Sequence, residues 1–421
     1  MFLKESIKFL KDITLALIIA IAIYIFQYLS TLVINLSGYF KEINTLNIII
    51  YSIIAIFLAT LEILVVYYYK KKNEPLDIIK IEEKKNKKVK LLIKLLILLS
   101  TCLISFFLGF ALGGEGPSVL LGSILGIIIG RIFEHDETNE ALVKLGESIG
   151  FSLAFLNPIA GIFKFFKDRK FDFSNMLQYL RVIVSVIVSY LFLSLLKGSF
   201  TFNLFFNITD FINYRVGWIF LIIPIIVFIF TYFYKVSLKY FKKIISKNKI
   251  IAYIIFPILL VILSITIKYL LPIVEGSGAN LFSNILVSSS LIMLFLYLMI
   301  RFIYVVFSFG SEFEGGVVLP TISIGAILGR IIGDLLSLFI NISDNDKLII
   351  IIVTLILFYA FTFKELLVGI SLIFSFGNPL YIFPGLVISS VISYLIIKVF
   401  KIKGLHEYLN ENHKVIKLIN K

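Results

Sequence analysis

The sequence predicts an all-α integral membrane protein of broken and tilted transmembrane helices, and three observations carry that expectation. The 421 residues are 59% hydrophobic and 16% charged, with a mean hydropathy of +1.02, a balance that leaves too little polar surface for a water-soluble globule. Apolar runs recur at 13–35, 47–69, 91–112, 118–133, 142–166, 181–198, 217–235, 250–271, 284–309, 317–340, 347–363, 366–376 and 380–400. A helix needs about 20 residues to cross a bilayer, so 118–133 and 366–376 are short and suit helices that end inside the protein. Finally, one glycine-rich element is spelled twice, about half a chain apart, as in transporters whose halves are structural repeats.

At the N-terminus, Met1 to Asp12 mixes charges ahead of the run from Ile13 and offers no small-residue cleavage site, so it reads as the start of a helix rather than a removed signal peptide. The net charge of +14 comes from lysines in the gaps between apolar runs, among them Lys70, Lys71, Lys72, Lys80 and Lys84 to Lys94, then Lys235 to Lys249. By the positive-inside rule these gaps, Lys164 to Lys170 and the tail after Lys398 face the cytoplasm, and both termini with them. The stretch 199–216 has Asn203, Asn207 and Asp210 with Arg215 as its only basic residue, and is expected outside. Lysines placed this way argue for a multi-pass protein of the cell membrane and against nucleic acid. Cys102 is the single cysteine; it rules out an intrachain disulfide or thiolate metal site and reads as a small buried hydrophobe. No cofactor or metal is expected. Only 21 residues follow Phe400, so the expected organisation is one membrane transport domain over 1–421, with a first repeat about 45–198, a second about 217–402, and no separate cytoplasmic regulatory domain.

The first glycine-rich copy opens Gly113-Gly114-Glu115-Gly116-Pro117-Ser118 and continues to Gly122, Gly126 and Arg131. The second reads Glu314-Gly315-Gly316-Val317-Val318-Leu319-Pro320-Thr321, then Gly325, Gly329 and Arg330. In both, the proline marks the start of a helix, whose first amides have no intrahelical acceptor and carry partial positive charge. Such an end binds an anion without a counter-charge that would trap it. Gly114, Gly116 and Pro117 are therefore expected to line an anion site, and Glu115 among them is itself an anion able to occupy it. Protonation would release the side chain, so anion and proton movement would be coupled through one residue. A helix-start carboxylate with an ordinary capping role is the plainer alternative; intramembrane depth favours function. The second copy has no carboxylate in the matching place, so Gly315, Gly316, Val317, Val318 and Leu319 read as pure amide donors from the opposite side, or else as a helix-packing element.

With Phe155-Leu156-Asn157-Pro158-Ile159-Ala160-Gly161-Ile162, these segments resemble in order and spacing the signatures of the CLC chloride channel and proton/chloride antiporter family, over roughly residues 45–410. The resemblance implies a CLC-type inverted repeat and a homodimer with an anion pathway in each subunit. It further implies transport of chloride or a similar small inorganic anion, as a voltage-gated-type chloride channel or an H+/Cl− antiporter, with Glu115 as the external gate. Three departures accompany it. The family's Gly-Ser-Gly-Ile-Pro element, whose serine lines the central anion site, is replaced by Lys71-Lys72-Asn73-Glu74-Pro75. Gly276-Ser277-Gly278-Ala279-Asn280 is similar in spelling but falls in the second half, as a degenerate counterpart or a flexible turn. The antiporters' internal proton-transfer glutamate falls on Asp168, inside a charged run Lys167-Asp168-Arg169-Lys170 that also reads as a solvated cluster. The family's central-site tyrosine falls in Lys403-Gly404-Leu405-His406-Glu407-Tyr408, where His406 matches by register and Tyr408 by type.

An intramembrane enzyme is the competing class, but no His-Glu-x-x-His pair exists and Asp334, after Gly333, has no aspartate partner in a comparable span; it reads as a helix-surface residue. A secondary transporter of another solute on a similar inverted-repeat fold is the remaining alternative.

Overall fold

The computed structural model describes residues 2–72, 88–133, 138–167, 175–198, 206–247, 251–285, 290–311 and 313–409. They form sixteen α-helices: α1 (Phe2–Gly38), α2 (Thr45–Lys72), α3 (Lys88–Phe107), α4 (Glu115–Ile132), α5 (Asn139–Phe155), α6 (Pro158–Phe166), α7 (Met176–Lys197), α8 (Ile219–Lys247), α9 (Phe256–Leu270), α10 (Ala279–Ser283), α11 (Leu291–Gly310), α12 (Val318–Ser337), α13 (Asp344–Phe363), α14 (Leu366–Ser371), α15 (Ile373–Phe376) and α16 (Pro379–Val399). Among the described residues, ten helices are long and apolar enough to cross a membrane. The protein is multi-pass. Helix lengths are uneven: α1 has 37 residues, about 55 Å at the α-helical rise, whereas α6 has 9 and ends far short of a span.

Local chemistry accounts for the breaks. The apolar run 142–166, expected as one segment, is two helices, because Leu156 turns left-handed at φ 49° and Asn157 caps α6 by accepting from the Ala160 amide, with Pro158 at its first position. Proline is placed there at little cost, since its missing N–H would have had no intrahelical acceptor. A capping box between Ser343 and Asp346 starts α13, and Lys364 at φ 59° ends it. The run 366–376 divides again into α14 and α15.

The chain forms two compact units, the first of Met1–Gly109, Gly113–Asn203 and Phe313–Gly316, the second of Phe110–Leu112, Leu204–Glu312 and Val317–Lys421. In the first unit α4 lies directly on α5. A Cβ on Gly122 would overlap the Gly146 carbonyl oxygen, and one on Gly126 would come within 2.5 Å of the Leu142 oxygen. Leu15, Ile19, Leu98, Leu121, Ile149 and Val186 fill the core around this pair, and a buried Arg181–Asp12 ion pair at 3.3 Å ties α7 to α1.

The second unit repeats the device. Gly325 and Gly329 of α12 meet α13 so closely that a Cβ would lie 2.9 Å from the Leu355 Cα and 2.7 Å from the Ile351 Cα. These two helices are the deepest spans, 83% and 89% buried, against 22% for α1 and α2. The Gly276 to Gly278 loop is not a loose turn: the fully buried Arg301 donates through Nη1 to the Val274 and Gly276 carbonyls at 2.7 Å each, and through Nε to Ser323 at 2.7 Å. Asp334 is likewise not on the helix surface. It is 8% exposed and held by Arg330 at 2.8 Å and Lys347 at 2.7 Å, because a carboxylate in an apolar setting needs compensating cations.

Candidate functional site

The duplicated glycine elements meet inside the first unit through a single antiparallel bridge, Gly113 to Gly316. Gly113 N–H donates to the Gly316 oxygen at 2.7 Å, and Gly316 N–H donates to the Gly113 oxygen at 2.6 Å. In this arrangement the Gly316 amide, expected to face an anion, serves the bridge instead. Its missing side chain matters more. A Cβ on Gly316 would lie 2.5 Å from the Gly116 nitrogen and 2.8 Å from the Glu115 Cδ, and one on Gly116 would lie 2.7 Å from the Gly316 Cα.

Glu115 is the first residue of α4, with Gly114 as a cap that contributes no side chain. Its carboxylate, 2% exposed, folds back against Gly113, where an added Cβ would overlap Oε2 and lie 2.6 Å from Cδ. The group is thus packed at the positive end of a membrane helix, where a negative charge is favoured. Pro117 is buried at the third position, and Ser118 closes the first turn by donating to the Gly114 oxygen through both its amide at 3.0 Å and its hydroxyl at 2.8 Å. A Cβ added at Gly114 would lie 3.7 Å from the Phe26 ring.

In the second unit Val317 caps α12, and the Thr321 amide makes that helix's first backbone bond to the Val317 oxygen at 3.1 Å. Val317 is buried, and Val318 and Leu319 are half-buried in the first turn. The Thr321 hydroxyl, one turn on, pairs with the buried Tyr234 hydroxyl at 3.0 Å. Tyr408 and His406 lie in the helical turn 405–409 of the same unit, and geometry separates them. His406 is exposed. Tyr408 lines a half-open cavity of about 300 Å³ with Thr231, Lys235, Phe361, Phe400 and Lys403, under the Lys239 ammonium at 4.7 Å from its ring. Lys235 itself is committed to the Phe361 and Lys403 carbonyls at 2.6 and 2.8 Å. Asp168 and Asn73 to Pro75 lie outside the described residues.

Sequence reading missed Glu62. It is 0% exposed in α2, and Ser105 of α3 donates to its Oε1 at 3.1 Å. The available signal was a lone carboxylate inside the apolar run 47–69, since ionisable groups are rare there and tend to be functional.

The H(+)/Cl(-) exchange transporter ClcA of Vibrio parahaemolyticus is 24% identical to this chain over 291 residues, which are 67% of this chain and 62% of that one. The chain thus matches somewhat under two thirds of the length of that relative. Among solved structures, a slow cyanobacterial Cl−/H+ antiporter superposes with a TM-score of 0.82 at 17% identity, covering 99% of both chains. A CLC-type fluoride/proton antiporter superposes at 0.75 and 18%, covering 94% of this chain and 96% of that one. The fold is therefore the CLC-type inverted repeat of broken and tilted helices. The profile of the voltage gated chloride channel family matches residues 57–398, and the chain belongs to that family.

Proposed function

We propose that this protein carries a small inorganic anion, chloride or a close relative, across the cell membrane in exchange for protons, with Glu115 as the gate. The observation that carries the proposal is the buried Glu115 carboxylate packed at the N-terminus of α4 against Gly113 and Gly316. There it fills the place a dehydrated anion would take, and only loss of its charge frees it to leave. Gly114, Gly116 and Pro117 supply backbone polarity in place of fixed counter-charges. Tyr408, rather than the exposed His406, is the aromatic hydroxyl available to the pathway. The kinship with proton-coupled transporters supports exchange over a plain channel.

The two glycine elements act as repeat-related halves of one transport domain. Exposed apolar side chains on α7 and α16, such as Leu177, Leu191, Phe383 and Val391, are covered by lipid or by the second subunit of a homodimer, and the lysine-rich segments lie in the cytoplasm. Purified protein in liposomes with an outward chloride gradient is expected to drive protons inward against their own gradient. Chloride movement with protons left at equilibrium would make it a channel, and absence of flux for chloride, bromide, nitrate and fluoride alike would remove the anion reading.

A further inference from the structure

We propose that Glu62 is a buried proton store which exchanges with Glu314 and thereby loads the Glu115 gate, an inference that rests on the anion/proton exchange reading above. In α2 the buried positions Tyr51, Ala55, Ala59, Glu62 and Val66 recur at three- and four-residue intervals, one face of a helix. Glu62 therefore points into the protein from a helix that otherwise faces outward. It meets Ser105 on α3, whose hydroxyl donates to Oε1 at 3.1 Å, and Glu314, which approaches it through both backbone and carboxyl group. Cys102, one turn before Ser105 and fully buried, faces the same two carboxyl groups. Among the described residues no lysine or arginine is paired with Glu62.

A carboxyl group in such a place is costly as an anion. If its task were only to latch α2 to α3, a glutamine would accept the same Ser105 hydrogen bond without that cost. What the carboxyl group adds is a proton that can come and go. The route onward is covalently short: Glu314 is followed by Gly315 and then Gly316, which contacts the Glu115 carboxylate and Gly113. All of these residues lie in one compact unit.

The transfer balances simply. The O–H bond of a protonated Glu314 breaks as one forms on the Glu62 carboxylate, and the negative charge moves from Glu62 to Glu314. In the reverse direction Glu62 returns the proton to Glu314, which passes it to the Glu115 carboxylate, and water resupplies Glu314.

The test is the number of protons moved per anion by the full-length protein in chloride-loaded liposomes, a ratio independent of how much protein is active. Glu62→Gln keeps size and the Ser105 contact, and is expected to lower the ratio by about tenfold or more, the scale of a lost proton-transfer group. Glu62→Asp is expected to restore most of it. A Glu62→Gln ratio equal to that of the unmodified protein overturns the inference and leaves the Glu115 gate standing, as does an Asp variant as defective as Gln. An unmodified protein that moves chloride with no protons overturns both.

Discussion

At Gly316 the packing leaves no room for a side chain. The backbone there approaches the Gly116 nitrogen and the Glu115 carboxyl carbon more closely than a methyl group allows, so Gly316→Ala must displace the Glu115 carboxyl group or part the bridge to Gly113. The substitution is expected to reduce anion flux at least about tenfold while costing roughly 1–3 kcal/mol of stability, the usual range for an overpacked position. Liposome efflux and thermal unfolding of the same preparation measure the two effects. Glu115 was legible from sequence because glycines and a proline flank it in a membrane run. Glu62 gave the weaker signal of a lone carboxylate in an apolar run, and only folding brings Ser105 and Glu314 to it.

Between elements, the duplicated spacing of glycines proved to mark helix contacts. Gly122 and Gly126 let α4 rest on the backbone of α5, and Gly325 and Gly329 let α12 rest on α13. Small residues permit such approach where lipid gives helices no hydrophobic reason to associate. Gly325→Leu would drive a side chain into Leu355 and Phe358, and is expected to destabilise the protein by at least ~3 kcal/mol, the upper end of the overpacking range. Gly38→Leu, with nothing within 4 Å of its added Cβ, serves as the comparison and should unfold with the unmodified protein. Thermal unfolding in detergent decides it. Span positions were readable from hydropathy, whereas at the break only the Asn157-Pro158 start of α6 is marked in the sequence, the left-handed turn at Leu156 not being so. The Arg301 clamp on the 274–278 loop was hidden for a similar reason, since its partners are carbonyl oxygens distant in the chain.

For the whole molecule, composition and the repeated element were enough to specify a membrane fold with two related halves, and the superposition over 99% of a solved antiporter chain agrees. The replaced serine element and the divided match at the C-terminal turn, by register at His406 and by type at Tyr408, left the ion pathway less legible. In that turn Tyr408 lines a cavity and His406 is exposed. Glu115 unites these scales, because one protonation event at one side chain is proposed to govern transport by the entire protein. The decisive measurement is chloride flux through liposomes as a function of pH, for the unmodified protein and Glu115→Gln. Acid neutralises the carboxylate and releases it from the helix end, so unmodified flux is expected to rise as pH falls. The Gln variant should show no pH dependence and carry no protons. A pH dependence that survives intact in Glu115→Gln, or proton coupling that persists without the carboxylate, would contradict gating by Glu115.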